Sequence, residues 1–151
     1  MEQLKEALSA AGIAYKENEP LCAHCTFRIG GPADLFVLPE NEEQLCAAIR
    51  LAKEAGVKSY LLGNGSNILF EDAGYRGAVI NVSAMKSGIG VIENISFPGK
   101  DPALTYDAVV VGAGQMLSSL CMAALENSLT GLEFAYGIPG TVGGAVYMNA
   151  G

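Results

Sequence analysis

Residues 101–151 contain no lysine or arginine: all nine basic residues lie earlier, and this stretch holds four acids, Asp101, Asp107, Glu126 and Glu133. An anionic ligand held there must be held by backbone N–H groups or hydroxyls. The chain as a whole has 16 acids against nine bases, a formal charge of −7, which excludes nucleic-acid binding through a basic footprint. Mean hydropathy is +0.30, yet no run approaches the ~18 consecutive apolar residues of a membrane span. The opening MEQLKEALSAAG carries charges where a signal peptide has an apolar run. A cytoplasmic protein with no membrane association is expected.

Catalytic side chains are also scarce. The single histidine, His24, has no recognisable triad partner, and no serine lies in a nucleophile elbow. Asp34, Glu71 and Asp72 read as caps and turn residues. Cys22-Ala-His-Cys25 has the C-x-x-C spacing of redox and zinc sites. A zinc site needs four ligands, and the only other candidates are His24, locked between the pair, and two distant cysteines. A thioredoxin-like motif would open a helix after a strand, whereas Pro20 precedes this one. The expectation is four free thiols and no metal, with Cys46 and Cys121 acting as small hydrophobes in helical patterns.

What is present is a core-forming chain: 151 residues, half of them hydrophobic and 17% charged, enough for one domain or one domain plus part of another. Apolar residues at i, i+3, i+4 and i+7 predict three helices. The first carries Leu4, Ala7, Leu8 and Ala11, and the second Leu45, Ala48, Ile49 and Ala52. The third carries Leu117, Leu120, Cys121 and Ala124. The second has an N-cap at Asn41 with Gln44 three residues on, and stops at Gly56. Strands are expected at 34–38, 59–62, 68–70, 78–82, 91–95 and 106–111. Strand 34–38, helix 42–55 and strand 59–62 form a parallel βαβ unit, and the strands after it read as a meander beside it, broken by turns at 72–74 and 96–99. The fold class is therefore α+β.

Glycine is the other signal, 19 residues in all, six of them in the last 21 positions. Gly63-Asn64-Gly65-Ser66-Asn67 follows a strand, and successive N–H groups in such a turn can form an anion-binding nest; a plain turn between strands is the simpler reading. Gly137-Ile138-Pro139-Gly140-Thr141-Val142-Gly143-Gly144-Ala145 leads into an expected apolar strand and fits a ligand or a tight backbone crossing equally well. Val111-Gly112-Ala113-Gly114-Gln115 imitates a dinucleotide fingerprint, but position 117 is leucine and no acid closes a second strand. A compact strand-to-helix turn is expected there. The chain reads as one that stops mid-domain.

Taken together, Thr26-Phe27-Arg28-Ile29-Gly30-Gly31-Pro32-Ala33-Asp34, LGNGSNILF (62–70), GYRGAVI (74–80), VGAGQ (111–115) and GLEFAYGIPGTVGGAVYMNAG (131–151) resemble the UDP-N-acetylenolpyruvoylglucosamine reductase family. The resemblance implies an FAD-binding fold of the vanillyl-alcohol oxidase and para-cresol methylhydroxylase type. It further implies a cytoplasmic, monomeric flavoenzyme of peptidoglycan precursor synthesis, in which NADPH reduces the flavin and hydride passes to a UDP-sugar enolpyruvyl ether. FAD is expected to be non-covalent, because the first loop lacks the histidine of related covalent flavoproteins. By resemblance Gly63, Asn64, Gly65, Ser66 and Asn67 line the FAD diphosphate, and Ile68 belongs to the cofactor-binding residues. Ile138, Pro139, Gly140, Thr141, Gly143, Gly144 and Ala145 wrap the rest of the cofactor. With no basic residue in either loop, FAD affinity is expected to depend only weakly on salt. The implied organisation is a lead-in helix (1–25), a first FAD-binding subdomain (26–83) and an incomplete second one (84–151), the substrate-binding domain being absent. The family's catalytic residues match no position here, so the fragment itself is expected to be inactive. Alternatives are another flavin oxidase or dehydrogenase of the same fold, or a stand-alone flavin-binding module.

Overall fold

The computed structural model describes residues 1–85, 88–95 and 105–151. The expected turn at 96–99 lies outside the described residues. The chain divides into two compact units, Met1–Met85 and Lys86–Gly151.

In the first unit, α1 (Glu2–Ala10), β1 (Ala14–Pro20) and a 3-10 turn (Leu21–His24) lead into β2 (Pro32–Leu38), α2 (Glu42–Glu54), β3 (Ser59–Leu62) and β4 (Tyr75–Asn81). The sheet order is β1-β2-β4-β3, with β1 antiparallel to β2 and β4 parallel to both of its neighbours. The β2–α2–β3 unit is thus parallel as expected, but β4 is inserted between its two strands. This corrects the expected meander. Helix α2 starts as the sequence indicates: Asn41 Oδ1 accepts from the Gln44 N–H (2.9 Å), and Gln44 Oε1 accepts from the Glu40 N–H (2.8 Å).

Side chains alternate across the central strands. Leu35, Val37, Ala78 and Ile80 face α1 and α2, burying Leu4, Leu8, Ala48 and Ala52. Phe36 and Val79 face the other way, onto Leu21, Leu62 and Phe70. Both faces of β2 and β4 are therefore covered, which explains their nearly continuous apolar runs.

Three local expectations are corrected. Residues 14–20 form a strand that apolar patterning does not reveal: AYKENEP is mostly polar because β1 is a sheet edge, where charges such as Lys16 and Glu17 discourage further pairing. Residues 68–70 are not a strand; Phe70 reaches the core from a loop. Cys46 is exposed on α2, whereas Cys121 is buried.

In the second unit, β5 (Gly90–Ile95) pairs antiparallel with β6 (Tyr106–Val110), followed by α3 (Leu117–Glu126), a 3-10 turn (Glu133–Ala135) and α4 (Val142–Met148). Leu117, Leu120, Cys121 and Ala135 form its core, with Ile138, Val142 and Ala145 packed against them. The expected apolar strand near the end is instead α4. Thr141 caps its start, accepting from Gly144 N–H (3.3 Å), and Asn149 closes it in the left-handed region (φ 49°). Among the described residues, no helix is long and apolar enough to cross a membrane, and no group of three or more His, Cys, Asp or Glu could hold a metal ion.

Candidate functional site

The turn after β3 is fixed through its carbonyl groups. Gly63 O accepts from Asn81 Nδ2 (3.1 Å), and Gly65 O accepts from the Thr26 N–H (3.0 Å) and hydroxyl (3.2 Å). A trans peptide places its N–H opposite its C=O. The amides of Asn64 and Ser66 therefore point away from Asn81 and Thr26 respectively. Asn81 is a buried polar residue at the end of β4, and its Oδ1 accepts from the Ser83 N–H (3.1 Å) and hydroxyl. Its Nδ2 thus holds the turn, while its Oδ1 is itself fixed by Ser83. Asn81→Ala should cost about 1–3 kcal/mol by stripping Gly63 O of its partner; urea unfolding of the variant measures it, and an unchanged midpoint would show the bond to be dispensable.

Gly65 has φ +64°, and a Cβ on it would stand 2.1 Å from His24 O and 2.8 Å from Cys25 Cα. The glycine lets the turn lie directly on the 3-10 turn. A concave pocket of about 390 Å³ opens here, lined by His24, Arg28, Gly63, Asn64, Asn81 and Ser83 among others. His24 is held by Glu19 (2.8 Å) and stacks on Phe36, with ring centroids 4.0 Å apart. The Glu19 carboxyl lies below its ordinary pKa, first through its hydrogen bond from Lys16 and then through that from His24. Arg28 is a pocket residue that spacing along the chain does not mark. It stands inside the FRIGG motif, and nothing in the sequence says that this motif folds against the first glycine turn.

In the second unit the VGAG segment is a strand-to-helix turn, closed by Gln115 N–H on Gly112 O (3.0 Å). The second glycine loop packs on it. Met116 bridges Thr141, Leu117 N–H donates to Gly140 O (3.0 Å), Val142 N–H to Gln115 O (2.8 Å) and Gly143 N–H to Ala113 O (2.9 Å). With Gly144 N–H on Thr141 Oγ1 and Ala145 N–H on Thr141 O (2.9 Å), the first-turn amides of α4 are all engaged. An amide nest does not form at this helix start; the glycines serve a tight crossing. A Cβ on Gly143 would lie 2.7 Å from Ala113 Cβ and 3.1 Å from its carbonyl oxygen. Gly143→Val should therefore destabilise the second unit by about 1–3 kcal/mol through crowding, read as a lower unfolding midpoint; no shift would mean that the crossing yields freely. Gly140 and Thr141 are buried, while Pro139 and Gly144 are exposed.

Solved structures place this architecture. A vanillyl-alcohol-oxidase-type flavoprotein from Myceliophthora thermophila C1 superposes with TM-score 0.53 at 16% identity, over 66% of this chain and 18% of that one. The α+β fold is the FAD-binding fold of the vanillyl-alcohol oxidase and para-cresol methylhydroxylase type. The chain belongs to the FAD binding domain family, whose model matches residues 33–151. The UDP-N-acetylenolpyruvylglucosamine reductase structure from Thermus caldophilus matches with TM-score 0.59 and 30% identity, over 92% of this chain and 42% of that one. The UDP-N-acetylenolpyruvoylglucosamine reductase of Clostridium perfringens (strain 13 / Type A) is 41% identical over the whole chain. The chain spans 47% of that relative, about half its length.

Proposed function

We propose that the chain is the FAD-binding part of a UDP-N-acetylenolpyruvoylglucosamine reductase. The observation that carries this reading is the identity of 41%, covering the whole chain, with the Clostridium perfringens relative of that name. FAD would supply hydride transfer from NADPH to the enolpyruvyl ether of the UDP-sugar.

The first pocket supports the cofactor assignment through its donor set. Gly63 and Asn64 line it together with the polar side chains of Thr26, Asn81 and Ser83, and no acid is among the lining residues. A polar lining without carboxylates suits an anionic group such as a diphosphate. In this reading Gly63, Asn64, Gly65, Ser66, Asn67 and Ile68 hold the diphosphate non-covalently. In the second unit, Pro139 and Gly144 are the exposed members of the assigned residues of the second loop. Ile138, Gly140, Thr141, Gly143 and Ala145 fix the backbone that presents them. The protein works as a cytoplasmic monomer in peptidoglycan precursor synthesis.

Two measurements test this. Titration of the chain with FAD should quench flavin fluorescence to a saturating, stoichiometric end point. A chimera carrying residues 1–151 in place of the matching segment of the Clostridium perfringens relative should oxidise NADPH when given the enolpyruvyl substrate. A chimera that folds and binds FAD yet shows no such turnover would speak against this reading.

A further inference from the structure

The first pocket contains a cation that neither glycine loop provides. Arg28 lines it beside Gly63 and Asn64, and none of the other lining residues is an acid. Among the described residues Arg28 makes no ion pair. Its backbone lies in the left-handed region at φ 54°, which a non-glycine residue rarely adopts. The segment is pinned there from several sides. Arg28 N–H donates to Cys25 O (3.2 Å), Cys25 Sγ–H to Ile29 O (3.3 Å), and Thr26 to the glycine turn itself through Gly65 O. A guanidinium without an acidic partner, on a backbone held in the left-handed region and in the same pocket as Gly63 and Asn64, is an arrangement that local stability does not require.

We propose that Arg28 is the counter-ion of the diphosphate bound in this pocket. The proposal rests on the cofactor reading above and deepens it. The guanidinium meets the phosphate oxygens with paired N–H donors. It also replaces the expectation of weak salt dependence, because an exposed guanidinium is screened by salt in a way that buried amides are not.

The test is fluorescence titration of the chain with FAD at low and moderate ionic strength, for the native protein and for Arg28→Met, Arg28→Lys and Arg28→Gly. Arg28→Met should weaken FAD binding about tenfold and flatten its salt dependence, with Arg28→Lys intermediate. Arg28→Gly should lose affinity as Arg28→Met does, yet keep or raise the melting temperature, since glycine takes this backbone conformation freely. Unchanged affinity and salt dependence in Arg28→Met, in a chain that binds FAD, overturns the role of Arg28 and leaves the cofactor reading standing. A fall in melting temperature of Arg28→Gly that parallels its loss of affinity also overturns it, in favour of a structural role. A native chain that does not bind FAD overturns both.

Discussion

Gly65→Val is expected to cost about 3–5 kcal/mol and to lower the melting temperature of the first unit by about 15 °C or more. The new Cβ would stand 2.1 Å from His24 O and 2.8 Å from Cys25 Cα, both backbone atoms of a turn that also carries buried Leu21. Nothing there can swing aside as a side-chain tip would. The left-handed backbone at φ +64° adds strain of its own. Gly12 provides the internal control: its φ is +66°, but nothing stands within 4 Å of the place a methyl group would take. Gly12→Ala should therefore cost only about 1 kcal/mol. Thermal melts of the two variants separate conformational cost from contact cost, and equal losses would show that the close approach of the turn to His24 is unimportant.

The second large effect concerns activity. The chain alone should show no NADPH oxidation coupled to the enolpyruvyl substrate, even when loaded with FAD. The family resemblance supplies no catalytic residue within 1–151, and loss of a positioned proton donor alone typically removes about 10²–10⁴ in rate. A stopped-flow assay of flavin reduction and reoxidation checks this. Substrate-dependent turnover close to that of the Clostridium perfringens relative would place the acid within this chain and would require the site to be reassigned.

How far the sequence foretells this molecule depends on whether a signal is local. Helix α2 is legible because its apolar spacing, the Asn41 cap and the stop at Gly56 all agree within a short stretch. Strands β2, β3 and β4 are legible as runs of apolar residues, which in β2 and β4 follow from burial on both faces. Strand β1 is not: an edge strand needs no apolar face, and its charges hide it. Helix α4 misleads because Ala145, Val146, Tyr147 and Met148 look strand-like in isolation, whereas Thr141 and Asn149 bracket them as a helix. The two glycine loops are recognisable as special, yet only tertiary contacts separate a turn whose carbonyls are tied back from a loop whose amides are spent on a neighbouring turn. Arg28 is illegible for the same reason. Its place beside Gly63 is set by hydrogen bonds across the fold, not by spacing along the chain.

The insertion of β4 between β2 and β3 has a consequence for the order in which this unit is built. Until residues 75–81 are available, β3 has no strand to pair with and β2 has only β1. A chain emerging from the ribosome can thus form its helices and one antiparallel pair, but the sheet closes only when its central strand arrives last. Such late, non-local pairing is slow and leaves sheet edges open in the meantime. Asn81, which ties Gly63, is the final residue of that same strand. The pocket therefore has no existence apart from the closed sheet: the step that completes the hydrogen-bond ladder also sets the turn in place.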